Sequence, residues 1–124
     1  MKNKNESKTL SETRRYQVFQ RAAIQGSVLI HDEDQLYIAP LNNISAGGLF
    51  ADRLVTIPEG RVVRVVVKSP RFEQPVQARG TVVRIQGEDR PGVAVEFTSI
   101  SSRARDIIKH CVQEARMESA LKIV

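Results

Sequence analysis

Two short stretches gather the residue types that could do chemistry. The first is TRRYQVFQR, residues 13–21, where Arg14, Arg15 and Arg21 are interleaved with Tyr16 and Phe19. Guanidinium groups make paired contacts with phosphates and guanine edges, and they stack on flat rings. The second is NNISAGGLF, residues 42–50. Asn43 and Ser45 offer short side-chain hydrogen bonds, while Gly47 and Gly48 permit positive φ and close backbone approach. Such a turn can hold a polar ring system, and arginines on a preceding segment could fold over a bound anion. Each stretch also has a plainer account. The arginines could form a solvated junction whose aromatics cover the domain, and the polar turn could be an Asx-type turn or a G1 bulge that shapes a hairpin.

Catalytic chemistry has little support. The two histidines, His31 and His110, have no nucleophile or acid at a recognisable spacing. The acids are spread among turns and a C-terminal segment, the usual solvated pattern. The single cysteine, Cys111, excludes a disulfide within the chain and a cysteine-based zinc site. It lies on an apolar helical face, as a buried structural thiol does. No catalytic residue, metal site or cofactor is expected, and the chain does not read as an enzyme.

The residues around these stretches must build something that holds them. The 124 residues suit one domain, and 41% hydrophobic residues suffice for a modest core. With no tryptophan and six other aromatics, that core must rest on Val, Ile, Leu and Ala. The formal net charge of +5 points to an anionic partner or simply to a soluble surface. Residues 1–13 are polar and charged and read as a disordered tail, with the folded domain over 14–124. They contain no signal-peptide core, and no apolar run approaches the roughly 18 residues needed to span a bilayer. A cytoplasmic, reducing setting without membrane insertion is the expectation.

Six β-like segments follow the tail, at about 23–31, 36–43, 47–53, 60–69, 75–86 and 92–97. Val63, Val65 and Val67 share one face of the fourth, against Arg64, Val66 and Lys68. Pro40 suggests an edge or bulge in the second. An apparent register flip at Val82 and Val83 suggests a bulge in the fifth. From about residue 102 the period changes to that of a helix, with Ile107, Ile108, Cys111, Val112 and Ala115 on one stripe. Ser101 or Ser102 can cap it, with Asp106 near its positive end. The sequence therefore predicts a small, mainly β, mostly antiparallel domain, a barrel or sandwich, with a C-terminal α-helix.

Taken together, these residues resemble the PilZ-domain family. That family carries Arg-x-x-x-Arg before its first strand and Asp/Asn-x-Ser-x-x-Gly within its sheet. The second motif is intact here as Asn43-Ile44-Ser45-Ala46-Gly47-Gly48, followed by Leu49-Phe50. ARGTVVRI and GVAVEF resemble the family's closing strands, so the likeness runs from about Arg14 to Ala115. The resemblance implies a six-stranded antiparallel β-barrel and a cyclic di-GMP site. Asn43 and Ser45 would read a guanine edge and nearby phosphate, and Gly47 and Gly48 would give clearance. Arg14, Arg15 and Arg21 would clamp phosphates and stack on guanine. The arginine motif departs from the pattern: four residues before Arg21 stands Gln17, and four after Arg14 and Arg15 stand Val18 and Phe19.

Two functions follow from the resemblance. One is a single-domain cyclic di-GMP receptor and adaptor that passes the second-messenger level to an unidentified protein partner in trans. The alternative, suggested by the broken arginine motif, is a PilZ-like interaction module that no longer binds the nucleotide. DNA or RNA binding ranks last, because small barrels that bind nucleic acid stack bases on several exposed aromatics. The helix stripe could dock on its own barrel or pair with a second chain, leaving monomer or homodimer open.

Overall fold

The computed structural model describes residues 19–83 and 91–123, the side chain of Ile123 excepted. The tail at 1–13, Arg14 and Arg15, and the end of the fifth predicted segment lie outside the described residues. Six strands are present: β1 (Ser27–Asp32), β2 (Gln35–Ser45), β3 (Gly48–Ala51), β4 (Val62–Lys68), β5 (Val76–Val83) and β6 (Val93–Ser99). They close into an antiparallel barrel in the order β1-β2-β3-β6-β5-β4. One helix, α1 (Ser102–Ile123), follows.

The period-two pattern explains the barrel. Val63, Val65 and Val67 of β4 are buried, as are Val28 and Ile30 of β1, Val82 of β5 and Val93 and Val95 of β6. Each such side chain contributes roughly 1.5–3 kcal/mol by leaving water. A one-residue slip would expose a whole inward row at once, so the alternation fixes the register. The core is built mainly of Val, Ile, Leu and Ala, as the composition requires, with Phe72 and Cys111.

Four details differ from the sequence reading. The first strand begins at Ser27; before it, Ala22 makes a lone antiparallel bridge with Ile44. β2 runs through the polar NNIS residues to Ser45, so the turn to β3 is only Ala46 and Gly47. No flip occurs at Val82: Val76, Ala78, Gly80 and Val82 all point inward, and the register shift lies between Arg79 and Gly80. Asp106 falls beyond the first helical turn, which holds no acid. The bulge expected near Pro40 is present, between Leu41 and Asn43, although the closed barrel gives Pro40 no edge.

Ser101 caps the helix, its Oγ accepting from the Ala104 N–H at 3.1 Å. Ile108, Cys111, Val112 and Ala115 are buried in the barrel core, so the first half of α1 docks on its own barrel. Beyond Ala115 the helix is exposed, with Met117 and Leu121 in solvent.

Candidate functional site

The β2–β3 hairpin displays the polar motif. Asn42 occupies the bulge, which lets Asn43 stand half-buried at the surface while Ile44 returns to the core. Asn43 Oδ1 accepts a hydrogen bond from Arg21 Nη1 at 2.9 Å. Asn43 Nδ2 donates to Asn42 Oδ1 at 2.9 Å, and Asn42 Nδ2 donates to both carboxylate oxygens of Asp52 at 3.1 and 3.2 Å. A polar chain therefore runs Arg21–Asn43–Asn42–Asp52 along the hairpin.

Ser45 plays a different part. It is 1% exposed, and its Oγ accepts from the Gly47 N–H at 3.1 Å and donates toward the Gly48 carbonyl at 3.4 Å. The hydroxyl thus ties the two-residue turn together. Neither Gly47 nor Gly48 has positive φ; among the described residues only Gly60 does so as a glycine. Their value is clearance. A Cβ on Gly47 would stand 2.6 Å from Cδ2 of the Phe19 ring, and one on Gly48 would press into the Val95 carbonyl oxygen.

The arginine segment is therefore seated on the turn. Phe19 lies over Gly47, and Ala22 exchanges backbone hydrogen bonds with Ile44 at 3.1 and 3.0 Å. The Arg21 carbonyl accepts from Arg116 Nη1 of α1 at 3.0 Å. Of the residues singled out in the sequence, Arg21, Asn43, Ser45, Gly47 and Gly48 come together here. Arg14 and Arg15 lie outside the described residues. Sequence reasoning missed Asn42, Asp52 and Arg116. Asn42 is identifiable only once the bulge is known, and Arg116 only once the helix is docked.

A separate groove of about 920 Å³ lies between α1 and residues 71–77. Its wall includes Cys111, whose thiol burial pushes above its ordinary value, with Glu114 adding to the rise and Arg71 opposing it. Arg71 also hydrogen-bonds Glu118, which holds that carboxyl below the usual carboxylate range. The groove shares no wall with the Arg21–Asn43 cluster. Among the described residues, no group of His, Cys, Asp and Glu could hold a metal ion, and no helix is long and apolar enough to cross a membrane.

A closed six-stranded antiparallel barrel with one C-terminal helix and an Asn-x-Ser-x-x-Gly hairpin defines a PilZ-type domain. The PilZ domain profile matches residues 12–114, and the chain belongs to that family. No curated protein matches it by sequence. Among solved structures, it is similar to YcgR in complex with c-di-GMP from Escherichia coli, with TM-score 0.73 and 15% identity, covering 87% of this chain and 49% of that one. It is also similar to the Bacillus subtilis inhibitor of motility MotI/DgrA, with TM-score 0.65 and 17% identity over 79% of this chain and 50% of that one. A third is the PilZ domain of CeSA from a cellulose-synthesizing bacterium, with TM-score 0.54 and 12% identity over 76% and 95%. The chain spans about half the length of the first two.

Proposed function

We propose that the chain is a cyclic di-GMP receptor that relays the level of this second messenger to a protein partner in trans, in the cytoplasm. The observation that carries this reading is the contact between the two motif halves: Arg21 is already seated on Asn43, above the Ser45–Gly48 turn. An incoming guanine or phosphate would take over the Arg21 and Asn43 groups that now satisfy each other. Arg21 would hold phosphate or stack on the base, Asn43 would read the base edge, and Gly47 and Gly48 would leave space. Arg14 and Arg15 would supply the guanidinium that Gln17 does not. Ser45 would act through the turn, since its hydroxyl is sealed beneath it.

The experiment is calorimetry with cyclic di-GMP at low salt, using wild type, Arg21→Ala and Ser45→Ala. Loss of a charged partner at a phosphate costs roughly 1.5–3 kcal/mol, so Arg21→Ala should weaken binding about tenfold to a hundredfold. Unchanged affinity in both variants would sink the assignment. The second reading, a PilZ interaction module without the nucleotide, draws on the spent Ser45 hydroxyl and the missing second arginine. It requires no heat from the wild type.

A further inference from the structure

The outer face of the barrel carries two adjoining rows that the hairpin site does not use. In the first, Ile38 of β2, Leu29 of β1 and Val66 of β4 are direct cross-strand neighbours. Ile38 is 58% exposed, and Leu29 and Val66 are half-exposed. In the second row, two residues along each strand, Leu36, His31, Arg64 and Arg79 stand in register across β2, β1, β4 and β5. Leu36 is 56% exposed, and His31, Arg64 and Arg79 are exposed. The rows lie about 7 Å apart and each spans about 10–15 Å.

Arg64 directly opposite Arg79 breaks a rule of sheet construction. Like charges in a cross-strand pair are destabilising, and among the described residues neither guanidinium has a hydrogen bond or ion pair. The pair borders a shallow depression of about 260 Å³ that Gln77, Ser99 and Ser101 also line. Two unpaired guanidiniums converging on a depression suit a single carboxylate, which could bridge them and relieve their repulsion. Departures from local rules that weaken a fold collect at functional sites.

We propose that this face, β2–β1–β4–β5, is the surface that engages the partner protein, and that the partner presents an acidic amphipathic helix. Its aliphatic side chains cover the Ile38–Leu29–Val66 row, and an Asp or Glu enters between Arg64 and Arg79. Charge complementarity selects the occupant: aliphatic residues bordered by Arg64 and Arg79, which have no ion pair among the described residues, fit an apolar stripe bordered by carboxylates. The inference rests on the adaptor reading but requires nothing of the nucleotide site, which lies on β2 and β3.

The test follows amide chemical shifts of the full chain during titration with a short synthetic helical peptide. The peptide has Leu at i, i+4 and i+7 bordered by Glu, and a control replaces every Glu by Lys. Anionic phospholipid vesicles are titrated in parallel. Shifts confined to β2, β1, β4 and β5 are expected with the Glu peptide, weakening as salt rises. Arg64→Glu replaces the like-charge pair by an opposite-charge pair, so thermal stability should hold or rise. Affinity for the Glu peptide should nevertheless fall by about tenfold or more, and Ile38→Ser should weaken it independently. The same variants should give unaltered heats with cyclic di-GMP, so a failure at this face is separable from a failure at the nucleotide site. No shifts on this face, equal binding of the Glu and Lys peptides, or binding to vesicles but to neither peptide would each overturn the proposal.

Discussion

Gly47 and Gly48 are adjacent in sequence and should behave oppositely when a methyl group is added. At Gly48 the new Cβ would meet the Val95 carbonyl oxygen, with Glu96 Cα at 3.3 Å behind it. Those atoms are backbone of β6, which is paired on its other side to β5 in a closed barrel. Nothing nearby can rotate away, so strands must separate. Overpacking of this kind costs about 1–3 kcal/mol, which for a domain near this size lowers Tm by roughly 5–15 °C. At Gly47 the obstruction is the Phe19 ring, with Cδ2 at 2.6 Å and Cε2 at 3.0 Å. A side chain can swing aside, and alanine also restricts the unfolded chain, which offsets about 0.4–1 kcal/mol. Gly47→Ala should therefore stay within about 0.5 kcal/mol of wild type in urea unfolding, by the same bookkeeping. Its effect should appear instead in calorimetry with cyclic di-GMP, as a several-fold loss, because Phe19 seats the segment that carries Arg21. Equal destabilisation by the two alanines would refute this division of labour, as would a Gly48→Ala protein as stable as the wild type.

Two further outcomes follow from side chains on α1. Burial raises the Cys111 thiol, so in the folded protein it should react with a disulfide reagent at pH 8 far more slowly than in urea. A thiol raised on folding contributes stability that is complete below its unfolded value and is lost as pH rises through the folded one. Urea midpoints should therefore decline above about pH 9 in the wild type and less so in Cys111→Ala; parallel curves would contradict the burial argument. Arg116 holds the Arg21 carbonyl, so it positions the segment and leaves the guanidinium to Asn43. Arg116→Ala should lower cyclic di-GMP affinity by about two- to tenfold, the worth of one net hydrogen bond, and should speed amide exchange at Ala22 and Ile44.

The strands and the helix were legible because both rest on periodicity. Valines at every second position of β4, and Ile108, Cys111, Val112 and Ala115 at helical spacing, state which face is buried before any neighbour is known. The bulges were harder. The apparent flip at Val82–Val83 follows from two adjacent valines, and the structure leaves Val83 41% exposed instead of turning the strand. The true irregularity lies opposite Thr98, where no apolar repeat is interrupted. Arg21 and Asn43 were identifiable from their types. Their contact across 22 positions was not, because it depends on the Ala22–Ile44 bridge, and pairings between distant segments leave no local signal.

The polar hairpin shows why a motif's residue types need not all serve one purpose. Two residues suffice for the turn, and yet Asn42, Asn43 and Ser45 precede it. Asn42 is the bulge residue and Ser45 is the turn's internal tie, so both shape the backbone. Asn42 and Asn43 both stand half-buried at the surface, and both amides are already engaged, Asn42 with Asp52 and Asn43 with Arg21. Arg64 and Arg79 present the reverse case. Their strands require nothing charged on the outer face, and placing like charges opposite each other weakens the pairing. Where a polar residue satisfies the backbone, the fold alone accounts for it. Where a pair of charges opposes the fold and has no ion pair among the described residues, the fold alone does not account for it. By that criterion the Arg64–Arg79 pair calls for a partner more strongly than Ser45 calls for a ligand.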